Sequence, residues 1–144
     1  MNFKTGMTKP INMPLQDAWQ YFIEPNNWSK WYGGNLKKVE PGWEKGGMLI
    51  WEQGRPSIIQ DIIPLKEIIL KDRTWGIITK WNFNDSKGGI LIEVEEEFGS
   101  TRPGSESEWR EGWREPLNKL RQCLITSISS EKKASKESPW WKFW

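Results

Sequence analysis

The first amphipathic pattern in the chain begins at Pro14. Apolar side chains recur there in steps of one, three and four, at Leu15, Ala18, Trp19, Phe22 and Ile23. This spacing predicts a helix, and proline suits its first position because the N–H that proline lacks would have no partner there. Pro25 is expected to end this helix. The segment from Asn26 to Trp31 then supplies a new cap and a second short helix, which the two glycines at 33–34 terminate.

Strand-like segments surround the helix pair. The first is predicted over residues 1–9, with Phe3 and Met7 facing inward. Six more follow without an intervening helix, at 35–40, 48–53, 57–63, 67–75, 77–84 and 87–98. Glycine and proline separate them, and the last two are expected to form a tight hairpin that turns at Asp85 and Ser86. The pattern therefore predicts seven strands, six of them in one antiparallel meander.

A second, longer amphipathic pattern predicts a helix over residues 105–128. Its apolar positions are Trp109, Trp113, Leu117, Leu120, Leu124 and Ile128. Because these positions recur every three or four residues, one face of the helix must be buried. Ser105 and Glu108 have the spacing of a capping box. Pro116 removes one intrahelical hydrogen bond and is expected to kink the helix near its middle.

Length and composition fit a single domain followed by a tail. A chain of 144 residues with 36% hydrophobic residues can bury one core of ordinary size. Residues 1–128 contain all of the predicted helices and strands and form the predicted domain. Ser, Lys and Glu dominate residues 129–138 and predict a flexible linker. With the Trp-rich end of the chain, this linker places residues 129–144 outside the domain.

Charge and missing residue types exclude several function classes. The net charge is +2 with acidic and basic residues interspersed, which gives no basic face for nucleic acid. The chain has no histidine and only Cys123 as a thiol, so Ser-His or Cys-His nucleophiles and zinc sites are not expected. No loop gathers the carboxylates that magnesium or calcium needs. We therefore expect no metal, no cofactor and no nucleic-acid partner. Without a signal peptide or a membrane-spanning segment, the expected location is cytoplasmic.

The order of these elements resembles the START-related, birch-allergen-like (SRPBCC) superfamily. Three features carry the resemblance. The first is the helix pair with its proline start and aromatic turn, and its residues are Pro14, Trp19, Asn27, Trp28 and Trp31. The second is the meander, with the segment 81–83 (Trp-Asn-Phe) ahead of the glycines at 88–89. The third is the closing helix over residues 105–128.

Together these features span residues 1 to about 128. Within the superfamily, the chain most resembles the branch that contains activators of the heat-shock chaperone ATPase and polyketide-cyclase-like proteins. The resemblance implies an α+β helix-grip fold, in which a curved seven-stranded antiparallel sheet wraps around a long C-terminal helix. It also implies a pocket for a small apolar molecule between sheet and helix. That branch shares no set of catalytic residues, so the resemblance implies no particular chemistry.

Tryptophan supplies the first candidate site. The chain contains 12 Trp, and several of them fall on positions that face the predicted space between sheet and helix. With one Phe, these positions are Trp51, Trp81, Phe83, Trp109 and Trp113. They either line a cavity with rigid apolar surface or fill the space that the fold would otherwise leave open. Both interpretations remain open from the sequence.

Glu96 is the candidate polar group of the same site. The alternating positions that share one face of the last strand are Ile90, Ile92, Val94, Glu96 and Phe98. An inward carboxylate is costly unless it is paired, and it can anchor a ligand or act as a general acid or base. Alternatively, Glu96 lies at the cavity mouth, solvated or paired with an arginine such as Arg73 or Arg110. Asp61 is a similar candidate, but isoleucines on both faces of its strand leave its direction open.

The end of the chain is the second candidate site. Its aromatic residues are Trp140, Trp141, Phe143 and Trp144. Trp together with Lys is typical of segments that lie at a membrane interface or dock in the groove of a partner. The tail can also fold back on its own sheet or onto a second copy of the chain. We expect a monomer or a homodimer.

The leading hypothesis is a non-enzymatic protein that binds a small apolar or amphipathic ligand between the sheet and the C-terminal helix. The aromatic positions would provide stacking surface, and Glu96 would fix one polar end. The first alternative is an acid-base enzyme of the cyclase or dehydratase type in the same cavity. A second carboxylate or a tyrosine opposite Glu96 would favour it. The second alternative is an adaptor that docks on a chaperone, another protein or a membrane through the tail.

Overall fold

The predicted order of strands and helices is present in the computed structural model, which describes residues 2–98 and 104–136. In chain order the elements are β1 (Asn2–Gly6), α1 (Leu15–Phe22), α2 (Pro25–Trp28), β2 (Leu36–Glu40), β3 (Met48–Trp51), β4 (Ser57–Ile63), β5 (Glu67–Asp72), β6 (Ile78–Ser86), β7 (Gly89–Glu97) and α3 (Glu106–Lys136). Within these described residues the chain forms seven strands and three helices. The predicted α+β class and strand count are confirmed.

The described strands join one curved antiparallel sheet in the order β1-β7-β6-β5-β4-β3-β2. Because β1 and β2 lie at opposite edges, the connection between them must cross the sheet, and α1 and α2 occupy this connection. Trp81 of β6 contacts both Phe22 of α1 and Trp113 of α3, with ring centroids 5.1 and 5.4 Å apart. The helix pair and the C-terminal helix therefore cover the same face of the sheet.

The β6–β7 hairpin turns two residues later than predicted, at residues 87–88 instead of 85–86. The cause is a contact with the chain ahead of α1. Ile11 and Ile90 exchange backbone hydrogen bonds of 2.9 and 2.8 Å. A Cβ on Gly89 would lie 2.0 Å from the Ile11 carbonyl oxygen, and Gly89 has a φ of +120°. Glycine is therefore required at this position, and the contact sets the register of the hairpin.

The second short helix begins and ends earlier than predicted. Pro25 is the first residue of α2, and the cap is Glu24, whose carboxylate accepts a hydrogen bond from the Asn26 N–H at 3.4 Å. The prediction of a cap inside the segment that starts at Asn26 is therefore wrong. A proline at the first position leaves no N–H to satisfy, and the residue before it is then free to act as the cap. The helix ends at Trp28, and the residues up to Trp31 form turns.

Phe22 is the centre of an aromatic cluster that joins the helix pair to the sheet. The centroid of its buried ring lies 4.9 Å from the ring centroid of Trp28, 5.6 Å from that of Trp31, 5.1 Å from that of Trp81 and 5.0 Å from that of Phe83. Such pairs add about 0.5–1.5 kcal/mol each beyond the area that they bury. The Trp28 indole N–H also donates to the Phe22 carbonyl at 2.6 Å, which satisfies an acceptor at the end of α1. These aromatic side chains fill the core.

The predicted buried face of α3 is confirmed. Its buried residues share the core with the helix pair or pack beside β1, and they are Trp109, Leu117, Leu120 and Leu124. At the start of the helix, the Glu108 N–H donates to Ser105 Oγ at 3.2 Å, as in a capping box. The helix passes through Pro116 and continues to Lys136. Residues 129–136 are therefore helical, although their composition favours a linker, and the kink at Pro116 stays a prediction.

Replacing Leu120 by Ala should lower the free energy of unfolding by about 2–5 kcal/mol. Leu120 is fully buried on α3, and the surrounding core closes such a cavity only in part. Chemical denaturation followed by far-UV circular dichroism measures the loss. The control is Gln122→Ala at an exposed position of the same helix, which should stay within about 0.5 kcal/mol of the wild type. Equal losses in the two variants would contradict the assigned buried face.

Candidate ligand site

A cavity of about 830 Å³ lies between the helices and the sheet. Its lining takes residues from α2 and the loop that follows it, from β3 to β7, and from α3. Six aromatic side chains contribute: Trp28, Tyr32, Trp51, Trp75, Trp81 and Trp113. The rim reaches solvent, since Trp75 is 64% exposed. A volume of this size is typical of sites that hold a small organic molecule.

Glu96 reaches this cavity and accepts three hydrogen bonds. Thr79 Oγ1 donates to Oε2 at 2.6 Å, while the indole N–H groups of Trp109 and Trp113 donate to Oε1 at 2.9 and 3.1 Å. All three donors are neutral. Hydrogen bonds to a charged acceptor contribute about 1.5–3 kcal/mol each, which offsets the desolvation of a half-buried carboxylate. Glu96 thus faces inward, as the alternation along its strand predicts, and its carboxylate is fixed in place.

Strand register and helix spacing bring these donors together. Thr79 is the direct cross-strand partner of Glu96 in the β6–β7 pair. Facing residues of an antiparallel pair point to the same side of the sheet. Trp109 and Trp113 lie four positions apart on α3, so their side chains project from one helix face. The carboxylate therefore connects β6, β7 and α3 at one point.

The arginines considered as partners of Glu96 do not pair with it. Arg110 donates to the Lys4 carbonyl at 3.3 Å and forms an ion pair with Glu106 at 2.9 Å. Arg73 is exposed in the turn after β5. In the part of the chain that the structure describes, no lysine or arginine forms an ion pair with Glu96. Arg73 and Arg110, the two arginines named as alternatives, are therefore not partners of Glu96, because α3 directs the indole N–H groups of Trp109 and Trp113 at this carboxylate.

Tyr32 adds a phenol to the same lining. Its ring stacks on Trp51 with centroids 5.3 Å apart, and the Trp51 indole N–H donates to Ser57 Oγ at 3.0 Å. Burial, together with the negative charges of Glu96 and Asp72, raises the pKa of Tyr32 from 10.0 to about 12. The phenol is therefore neutral at physiological pH and can donate a hydrogen bond into the cavity.

The residues that line the cavity belong to a segment that matches a known protein family. Residues 12–125 match the sequence model of the family described as "Activator of Hsp90 ATPase homolog 1-like protein" (AHSA1). The chain belongs to this family. The matched segment includes every residue of the cavity lining as well as Trp109. No curated protein sequence matches the chain.

Solved structures share the fold of this AHSA1-like chain. The protein SSP2350 from Staphylococcus saprophyticus is 17% identical with a TM-score of 0.67, and the match covers 87% of this chain and 92% of that protein. The AHSA1-like protein from Aeromonas hydrophila is 9% identical with a TM-score of 0.67, over 90% and 94% of the two chains. DynU16, a protein in the dynemicin biosynthetic locus, is 16% identical with a TM-score of 0.66, over 88% of this chain and 48% of its own. These likenesses show the fold, and the superfamily inferred from the sequence is confirmed.

The AHSA1-like fold brings most of the predicted site residues to one place. Those that line the cavity are Trp51, Trp81, Glu96 and Trp113. Trp109 does not line it, but lies buried between Phe3 and Glu96 and holds the carboxylate through its indole N–H. Phe83 does not line it either, because its ring packs on Trp19 and Phe22 in the core.

The lining also contains residues that the sequence did not predict for the site, among them the polar side chains of Tyr32, Asp72 and Thr79. Tyr32 belongs to the irregular segment after α2, and Asp72 ends β5, so no periodic pattern marks either of them. Asp61, the other carboxylate considered, is exposed and accepts a hydrogen bond from the N–H of Ile62. It therefore lies outside the site.

Other predicted properties concern absences and the end of the chain. Across residues 2–98 and 104–136, no group of three or more candidate ligand side chains is placed to hold a metal ion. No helix of the described chain is long and apolar enough to cross a membrane. Residues 139–144 lie outside the described part, so contacts through Trp140, Trp141, Phe143 and Trp144 stay a prediction.

Tyr32 should titrate at about 12, well above the ordinary value of 10.0. Because the folded chain holds this proton more tightly than the unfolded chain, its contribution to stability is present below pH 10 and is lost as the pH rises to about 12. Tyrosinate absorbance against pH, with circular dichroism recorded in parallel to check folding, measures the ionisation. Tyr32→Phe should remove this transition. A tyrosine that ionises near pH 10 in the wild type but not in Tyr32→Phe would contradict the burial of the phenol.

Proposed function

We propose that this AHSA1-like protein binds a small apolar or amphipathic ligand in the cavity and releases it unchanged. The fold of this superfamily typically binds hydrophobic ligands. The observation that carries the proposal is the cavity itself. The aromatic cluster around Phe22 fills the core, but about 830 Å³ beside it stays open. Six aromatic side chains line this space, and two of them, Trp28 and Trp81, also contact Phe22.

The proposed roles follow from the contacts. Trp51, Trp81 and Trp113 would supply the stacking surface, and Glu96 would anchor one polar end of the ligand. Trp109 would not contact the ligand, but its indole N–H donates to Glu96 and holds that carboxylate in position. Because the Glu96 carboxylate is already fixed, binding loses little side-chain entropy there.

A second candidate function is an acid-base enzyme of the cyclase or dehydratase type. The observation that favours it is that a second carboxylate, Asp72, and a phenol, Tyr32, line the same cavity as Glu96. Groups of this kind can move protons to and from a bound carbonyl compound. The same cavity would then be an active site.

The hydrogen bonds favour binding over catalysis. Both oxygens of Glu96 already accept hydrogen bonds from the protein. Asp72 accepts from the N–H groups of Thr74 and Trp75 at 3.0 and 2.9 Å. The raised pKa of Tyr32 moves this phenol away from the range in which a general base works best. These carboxylates are held as acceptors, which suits an anchor better than a group that must gain and lose a proton.

Mass spectrometry separates the two functions. The protein is incubated with a small-molecule extract of its producing cells, and bound compounds are identified before and after incubation. A binding protein returns its ligand with an unchanged mass and an unchanged chromatographic retention time. A dehydratase would return a product that has lost one water, and a cyclase would return a product of changed retention time with either the same mass or one water less. Glu96→Gln would abolish either conversion.

Filling the cavity should abolish binding of an apolar probe. Ile77 lines the cavity, and Ile77→Trp adds a bulky ring to that space. The affinity for Nile red, a neutral dye whose fluorescence rises in apolar surroundings, should fall by about tenfold or more, the equivalent of roughly 1.4 kcal/mol. Fluorescence titration measures the dissociation constant and the stoichiometry, which should be one dye per chain.

The matched control is Ile78→Trp. Ile78 is the next residue of the chain and lies outside the lining, on the other face of β6. Its substitution adds the same ring without entering the cavity and should leave the affinity unchanged. Equal affinities of the wild type and Ile77→Trp would place the dye elsewhere, and a wild type that binds no dye would overturn the proposed function.

A further inference from the structure

The charge of the cavity lining is opposite in sign to the net charge of the chain. The whole chain carries +2. The described lining contains the carboxylates of Glu52, Asp72 and Glu96 and, as a cationic side chain, only the guanidinium of Arg55. Glu52 and Arg55 are exposed, whereas Asp72 and Glu96 are half-buried. The inner part of the cavity is therefore negative.

No cation of the described chain neutralises the two inner carboxylates. The hydrogen-bond donors to Glu96 are a hydroxyl and two indoles, and those to Asp72 are backbone N–H groups. Neither carboxylate forms an ion pair with a lysine or arginine of the described residues. Neutral donors stabilise the two charges without cancelling them. The negative potential therefore extends into the cavity, where it also contributes to the raised pKa of Tyr32.

Half of the six aromatic side chains in the lining have no N–H left for an anion. The indole N–H groups of Trp28, Trp51 and Trp113 already donate to a backbone carbonyl, to Ser57 and to Glu96 respectively. What an aromatic lining still offers is ring surface, whose electron-rich faces attract cations. Stacked Tyr32 and Trp51, with Trp75 exposed at the rim, provide such surface.

We propose that the cavity is selective for an amphipathic organic cation, whose ammonium group lies beside Glu96 and Asp72 and whose apolar body lies along the tryptophan rings. This inference rests on the proposed ligand-binding function and names the chemical class of the ligand. An anion of the same shape meets two uncompensated carboxylates. A neutral analogue gains the apolar contacts alone.

Three ligands of matched chain length and different charge test the selectivity. Decyltrimethylammonium, decanol and decanoate, each below the concentration at which it forms micelles, are titrated against the Nile red complex of the wild type. Decyltrimethylammonium should bind about tenfold more tightly than decanol, as expected for one desolvated cation–π or charge contact, and decanoate should bind most weakly. Added sodium chloride should weaken the binding of the cation and leave that of decanol unchanged.

Two variants locate the effect. Glu96→Gln removes one of the two inner charges and should lower the affinity for decyltrimethylammonium severalfold more than it lowers the affinity for decanol. The matched control is Glu97→Gln, which removes the same charge from the exposed neighbour on the other face of β7. This control should change neither affinity. The wild-type series does not depend on how well either variant folds.

The outcomes separate this inference from the proposed function. Equal affinities of decyltrimethylammonium and decanol in the wild type would overturn the cation selectivity and leave the ligand cavity intact. Tighter binding of decanoate would overturn it as well. If the wild type binds neither Nile red nor any of the three ligands, the proposed function fails and the inference fails with it.

Discussion

The Glu96 carboxylate and its three neutral donors form the contact on which the site depends. Thr79 comes from the facing strand, and Trp109 and Trp113 come from successive turns of α3. A shift of the β6–β7 register would remove the hydroxyl, and a slide of α3 along the sheet would remove both indoles. This one interaction therefore fixes the start of α3 against the sheet and sets the polarity of the cavity.

Some aromatic residues fill the core and others line the cavity, and two of them do both. Trp81 contacts Phe22 in the core and Trp113 at the cavity, and Trp28 similarly contacts Phe22 and Trp51. The wall of the cavity is thus the surface of a packed aromatic core. Interiors packed in this way deform little, so this wall of the cavity is rigid.

Local patterns were enough for most of the fold. β4 has the predicted bounds, because isoleucines between turn residues mark it at both ends. The buried face of α3 and the inward position of Glu96 follow from periods of 3.6 and 2. The continuation of α3 to Lys136 was not predicted, because residues 129–136 lack an apolar face and the prediction relied on such a face.

Details of the site were less accessible because they depend on contacts distant in sequence. A hairpin turn at 85–86 would pair Thr79 with Ile92 and leave Glu96 without its hydroxyl donor. The actual register depends on the approach of Ile11 to Gly89, which no local pattern encodes. Tyr32 lies in an irregular segment, and its place in the cavity depends on packing against Trp51, which is distant in sequence. The sequence thus located the strand and helix faces of the site but not the partners that complete it.

Native mass spectrometry of the protein purified gently from its producing cells addresses most directly whether the cavity holds a ligand. The wild type should carry an excess mass that is released on denaturation, with one small molecule per chain. Ile77→Trp, in which the added ring occupies the cavity, should carry none. A wild type that shows only the mass of its own chain, or an excess mass that persists in Ile77→Trp, would contradict a ligand site between the sheet and the helices.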